Sequence, residues 1–135
     1  ISSCSDYYFF KYKQADYEID ALSLALMKQQ FVSDIELSKA TYIQNKELFV
    51  VAQEKKEIAV QSYTWLQEEY QTGTRSTLEI INAQSQILYA EKNVFLREYN
   101  LFISSMYHLY LTDRLTAAYL KESIRQTGIG KDNGN

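Results

Sequence analysis

No proline occurs anywhere in this chain of 135 residues, and of its four glycines only Gly73 lies ahead of the C-terminal tail. Proline and glycine are the ordinary interruptions of helices, so their near absence leaves one place where the chain can turn tightly. Apolar residues recur on both sides of that place. The pattern predicts two long helices joined by a turn at residues 71–76, an all-α fold.

From about Ala15 to Tyr70 the composition is dominated by Ala, Leu, Glu, Gln and Lys, all favourable in helices. Leu37, Val51, Ile58 and Trp65 share one column at a spacing of seven, interrupted by Gln44, and Ala52, Ala59 and Leu66 share its neighbour. A seven-residue apolar repeat argues for a coiled coil. At about 1.5 Å per residue this arm is expected to extend about 80 Å, far beyond helices in compact domains. After the turn the repeat is stricter: Ile81, Leu88, Phe95, Phe102 and Leu109 form one column, and Ile80, Ile87, Val94 and Leu101 the next. Two adjacent columns make a broad face that suits a bundle or closed ring of helices better than an isolated hairpin, which would leave apolar surface wet.

The second helix is expected to break near Leu111-Thr112-Asp113-Arg114, where Thr112 or Asp113 can cap a short helix to about Ile124. Residues 127–135 carry no periodic apolar residue and are expected to be disordered. Residues 1–14 form an aromatic-rich segment in which Tyr7-Tyr8-Phe9-Phe10 fits a short strand as well as a helix. The expected body is therefore residues 15–126, a long antiparallel helical hairpin with a short helix after 112.

Composition removes several function classes. A net charge of -3 with scattered Lys and Arg argues against nucleic acid. There is no run of about 18 apolar residues for a membrane helix, and no alternating segment of about ten for a membrane strand. Twelve tyrosines and six phenylalanines suit a surface that meets another chain, although padding of helix interfaces explains them equally. The chain starts at Ile1 without methionine and is expected to be a fragment of a longer product. Cys4 is the single cysteine, which excludes an internal disulfide and a cysteine-based zinc site. Ile1-Ser2-Ser3-Cys4 has the small residues of a bacterial lipoprotein cleavage site without the apolar stretch that should precede them, so a plain unpaired thiol is the default reading.

No catalytic, cofactor-binding or metal-ligating constellation is visible. His108, the single histidine, continues the column of Ile80, Ile87, Val94 and Leu101 with no acid within a helical turn on its face, and is expected to be a packed, hydrogen-bonded interface residue. Gly73 does not belong to a glycine-rich phosphate loop following a strand. It does permit the positive backbone dihedral that ends a helix, while Thr74 or Ser76 can cap the second helix and Glu79 completes a capping-box pattern with Ser76. Arg75 stands apart, because a guanidinium at a helix start opposes the helix dipole and calls for an acidic partner.

Tyr70, Gly73-Thr74-Arg75, Leu78-Glu79-Ile80-Ile81-Asn82-Ala83 and Tyr99-Asn100 together resemble the second structural repeat of the TolC family of outer-membrane channels, the exit ducts of bacterial drug efflux pumps and type I secretion systems. The resemblance covers about Ala15 to Ile124. It implies a homotrimer in which each protomer contributes two such repeats to a β-barrel in the outer membrane and a tube of helices through the periplasm. This chain would supply one helical hairpin, with the barrel strands lying outside it. The turn would then be the periplasmic entrance tip. Tyr70 and Arg75 would bond to an acid of a neighbouring hairpin and hold the entrance shut, with Glu79 and Asn82 at the pore mouth. Gly73, Thr74 and Ser76 would meet a periplasmic adaptor that links the channel to an inner-membrane transporter. The family commonly has acids at both positions matching Glu79 and Asn82, and glycine where Asp113 stands; here Asn82 is neutral, which implies a weaker attraction for cations, and the bend after the second arm is in doubt. The alternatives are a free-standing coiled-coil interaction or adaptor protein, or a truncated remnant without function. The double apolar column and the turn motif set the channel reading apart from the coiled coil, and the remnant stays open.

Overall fold

The computed structural model describes residues 2–127, which form helix α1, Ser2–Gln71, and helix α2, Thr77–Thr127. No strand occurs among the described residues, and no helix among them is apolar enough over a sufficient length to cross a membrane. The chain divides into two compact units, residues 1–37 and 38–135.

In the first unit, residues 4–30 are exposed on every side of α1. Tyr7, Tyr8, Phe9 and Phe10 are helical, which settles the choice between strand and helix, and α1 runs through residue 15 without interruption. Tyr7 and Tyr8 meet edge to face at 5.8 Å, while Lys11 and Lys13 lie over the rings of Tyr7 and Phe9 one turn back, at 5.3 and 5.6 Å. These contacts are local to the helix, and neighbouring rings with interleaved lysine stems cover one another in part.

The second unit contains the hairpin. Lys56 Nζ lies 3.3 Å from Glu91 Oε1, Gln84 Nε2 donates to the Tyr63 hydroxyl at 3.0 Å, and Ser38 Oγ is 2.8 Å from His108 Nδ1. The midpoint of each pair falls on Gly73 or between Gly73 and Thr74, as antiparallel pairing about a single turn requires. His108 also stacks on Tyr42, with centroids 6.4 Å apart and planes 9° from parallel, so it sits in the helix interface as expected.

The inward residues follow a heptad on both helices. On α1 they are Ser38, Asn45, Ala52, Ala59 and Leu66, with Tyr42, Phe49, Lys56 and Tyr63 beside them; on α2 they are Ile80, Ile87, Val94, Leu101 and His108, with Ala83, Ala90, Arg97, Ser104 and Leu111 beside them. The buried ones among them are Leu111 and four small residues, Ala52, Ser38, Ala83 and Ser104. By the pairing about Gly73 each small residue stands opposite a larger one: Ser38 opposite His108, Ala52 opposite Val94, Ala83 opposite Tyr63 and Ser104 opposite Tyr42.

The break expected at Leu111–Arg114 is absent, for α2 runs unbroken through it. Thr112 Oγ1 donates to the His108 carbonyl at 2.8 Å and Thr116 Oγ1 to the Thr112 carbonyl at 3.1 Å. Both hydroxyls bond back to the preceding turn within the helix instead of capping a new one, and neither glycine nor proline is present to end it. There is accordingly no separate short helix after 112. Thr127 is the last residue of α2; the remainder of the expected tail, residues 128–135, lies outside the described residues.

Candidate functional site at the hairpin tip

The end of α1 is a Schellman motif. Gly73 adopts φ 80°, its N–H donates to the Tyr70 carbonyl at 3.0 Å, and the Thr74 N–H donates to the Glu69 carbonyl at 3.1 Å. The Thr72 and Thr74 hydroxyls each donate to that same Glu69 carbonyl at 2.8 Å. These bonds supply partners to carbonyls that a helix end leaves orphaned. Thr74 therefore serves the end of α1, and Ser76 is the residue that caps α2.

The start of α2 is a capping box. The Ser76 N–H donates to Glu79 Oε2 at 2.9 Å, and the Glu79 N–H reaches back to Ser76 Oγ at 3.4 Å. The Ser76 hydroxyl makes a further bond to Glu79 Oε2 at 3.2 Å. An acid in the first turn also complements the positive end of the helix dipole.

Arg75 lies between the two helix ends. Its Nε donates to Glu69 Oε2, its Nη1 donates to Glu79 Oε1 at 3.0 Å, and its guanidinium carbon lies 5.3 Å from the centre of the Trp65 ring. The carboxylate of Glu69, followed by that of Glu79, raises the Arg75 pKa. The Ser76 backbone N–H, followed by the Arg75 guanidinium, holds the Glu79 carboxyl below its ordinary value. The acid expected from a neighbouring hairpin is thus supplied twice over by the same chain.

Of the other residues expected at the entrance, Tyr70 places its hydroxyl 3.4 Å from Thr77 Oγ1, and Asn82 is exposed one turn into α2. The turn brings Arg75 and Glu79 together, whereas neither Tyr70 nor Asn82 contacts them in the bonds described. Gly73, Thr74 and Ser76 are exposed at the apex. Glu69 and Trp65 were not singled out from the sequence. The signal for them was their spacing of four, which puts both on the face of α1 that ends at the turn.

The chain matches no protein-family model, no curated protein and no solved structure.

Away from the tip, the large apolar residues of the outer columns remain uncovered. Val51, Ile58 and Trp65 on α1 are exposed, as are Ile81, Leu88, Phe95, Phe102 and Leu109 on α2, with Leu88 at 66% and Phe95 at 72%. The α1 column precedes an inward column by one residue and the α2 column follows one, so in an antiparallel pair they emerge on opposite flanks. Trp65, Ile58 and Val51 stand as far before Gly73 as Ile81, Leu88 and Phe95 stand after it, which sets the two stripes at matched heights.

Proposed function

We propose that this chain forms the periplasmic tunnel helices and entrance tip of a TolC-like outer-membrane channel, a passive conduit for efflux or type I secretion that performs no bond chemistry. The observation that carries this reading is the pair of apolar stripes at matched heights on opposite flanks of the hairpin. A two-stranded coiled coil needs one seam only, whereas a hairpin that continues into neighbours on both sides needs three contact lines. The turn motif from Tyr70 to Ala83 supports the same assignment by its resemblance to the family. In this reading three protomers close the tube, Gly73, Thr74 and Ser76 meet the adaptor, and Tyr70, Arg75, Glu79 and Asn82 form the entrance. A lock between hairpins would require an incoming acid to displace Glu69 or Glu79 from Arg75. Each exposed pair of that kind is worth about 0.2–1 kcal/mol, so the lock would depend on its repetition by symmetry.

Fractionation of cells that carry the gene tests the proposal. Recovery in the outer membrane, with chemical cross-linking to a trimer, is the expected result. Recovery only as a monomer in the soluble fraction would refute it.

A second reading, a free-standing helical interaction hairpin, is favoured by two specific observations: Arg75 finds both its acids within the chain, and α2 continues without a bend past Asp113. The same fractionation separates the two.

A further inference from the structure

Between Glu68 and Asn82 the only cationic residue is Arg75, and its guanidinium contacts both helices at once. We infer that Arg75 is an acid-releasable clamp that closes the tip within a single hairpin, tying Trp65 and Glu69 at the end of α1 to Glu79 at the start of α2. Every group in the clamp belongs to one chain, so it stands independently of the channel reading.

The charged groups around it are few. From α1 come Glu69, in direct contact, and Glu68, exposed and one residue round the helix; from α2 comes Glu79. The remaining side chains of the turn are hydroxyls and amides, together with the Tyr70 ring, so no second cation competes for the carboxylates. The flat guanidinium meets the face of Trp65 while its edge donates to the two acids, a division of roles that the ammonium of lysine cannot reproduce.

Protonation of the Glu79 carboxylate removes its charge-assisted hydrogen bond with Arg75 and the acceptor of the Ser76 N–H, so the clamp and the cap of α2 loosen together. The Glu79 carboxyl is held below its ordinary value in the folded chain, so its contribution is present at neutral pH and is lost as pH falls through that lowered value. The Schellman bonds contain no titrating group. Release is therefore local to the side chains, and both helices persist.

Trp65 is the chain's only tryptophan and so reports the clamp directly. Its fluorescence in the full chain is followed from neutral to acid pH, with far-UV circular dichroism in parallel. The wild type should show an emission shift below the ordinary glutamate range, without loss of helicity. Arg75→Ala should already emit like the acid form at neutral pH and show no further transition. Arg75→Lys, which keeps the charge but not the planar stack, should give intermediate emission and release at higher pH; it also serves as the second variant should Arg75→Ala lose helicity. Flat wild-type emission across the range would overturn the clamp. So would a wild-type titration in Arg75→Ala, because the transition would then not depend on the arginine.

Discussion

Replacing Gly73 by alanine isolates the conformational demand of the turn. A Cβ on Gly73 would meet no atom within 4 Å, so steric conflict with neighbours contributes nothing. What remains is the penalty for an L-residue in the left-handed region at φ +80°, about 1–2 kcal/mol. Alanine also restricts the unfolded chain, which offsets about 0.4–1 kcal/mol of that penalty. The net loss is then about 1 kcal/mol, or about 4 °C in thermal midpoint for a chain of this size. Asparagine tolerates the left-handed region and should lose less than alanine, while valine, branched at Cβ, should lose more. Stability in the order Gly, Asn, Ala, Val is the signature to be read from urea and thermal unfolding of the full chain by far-UV circular dichroism. The denaturant slope should be unchanged, because the surface exposed on unfolding is unchanged. Equal stability of Gly73→Ala and wild type, or a larger loss in Gly73→Asn than in Gly73→Ala, would refute the argument.

Ser76→Ala removes the hydroxyl that accepts the Glu79 N–H and should lower stability by about 0.5–2 kcal/mol in the same unfolding measurements. Glu79→Gln retains a side-chain acceptor for the Ser76 N–H and should lose less than Ser76→Ala at neutral pH; the reverse order would argue against the cap. Ala52→Leu inserts a large side chain at the most buried position of the seam and should cost about 1–3 kcal/mol by overpacking, whereas Ile58→Leu on the exposed column should be neutral in the same denaturation curves. Phe95→Glu should leave the stability of the single chain within about 0.5 kcal/mol while abolishing the cross-linked trimer that the channel proposal expects, and retention of such a trimer would remove the flank from the interface.

The hairpin was legible because its determinants are local. One glycine, a Ser76 to Glu79 capping pattern and good helix formers on either side leave few alternatives, and the Schellman and capping-box bonds reproduce that reading atom for atom. The expected break at Leu111–Arg114 failed because threonine and aspartate favour helix starts only when the preceding turn is already interrupted. Inside a continuing helix the Thr112 and Thr116 hydroxyls bond back to the preceding carbonyls instead. The direction in which each apolar column points was also beyond the sequence. On α1 the column containing Val51, Ile58 and Trp65 is the more hydrophobic, yet it is the column of Ala52 and Ala59 that faces α2. Arg75 was recognised as requiring an acid, but Glu69 lies across the turn from it and becomes its partner only through the path the backbone takes at Gly73.

The outward column of each helix, with Val51, Ile58 and Trp65 on α1 and Leu88, Phe95 and Phe102 on α2, bears directly on what the hairpin is for. Burying a methylene contributes about 0.8 kcal/mol and a whole leucine or phenylalanine side chain about 1.5–3 kcal/mol. The seam buries Leu111 and half-buries Ile80, Ile87, Val94 and Leu101, while its other buried positions, Ser38, Ala52, Ala83 and Ser104, are small and add little apolar area. A further hydrophobic driving force resides in Leu88, Phe95, Phe102 and their α1 counterparts, which the hairpin itself leaves in water. The turn, with its backbone bonds, its cap and Arg75 held between two acids, sets the register of the helices. The apolar side chains are thereby left on the flanks, where further helices can cover them.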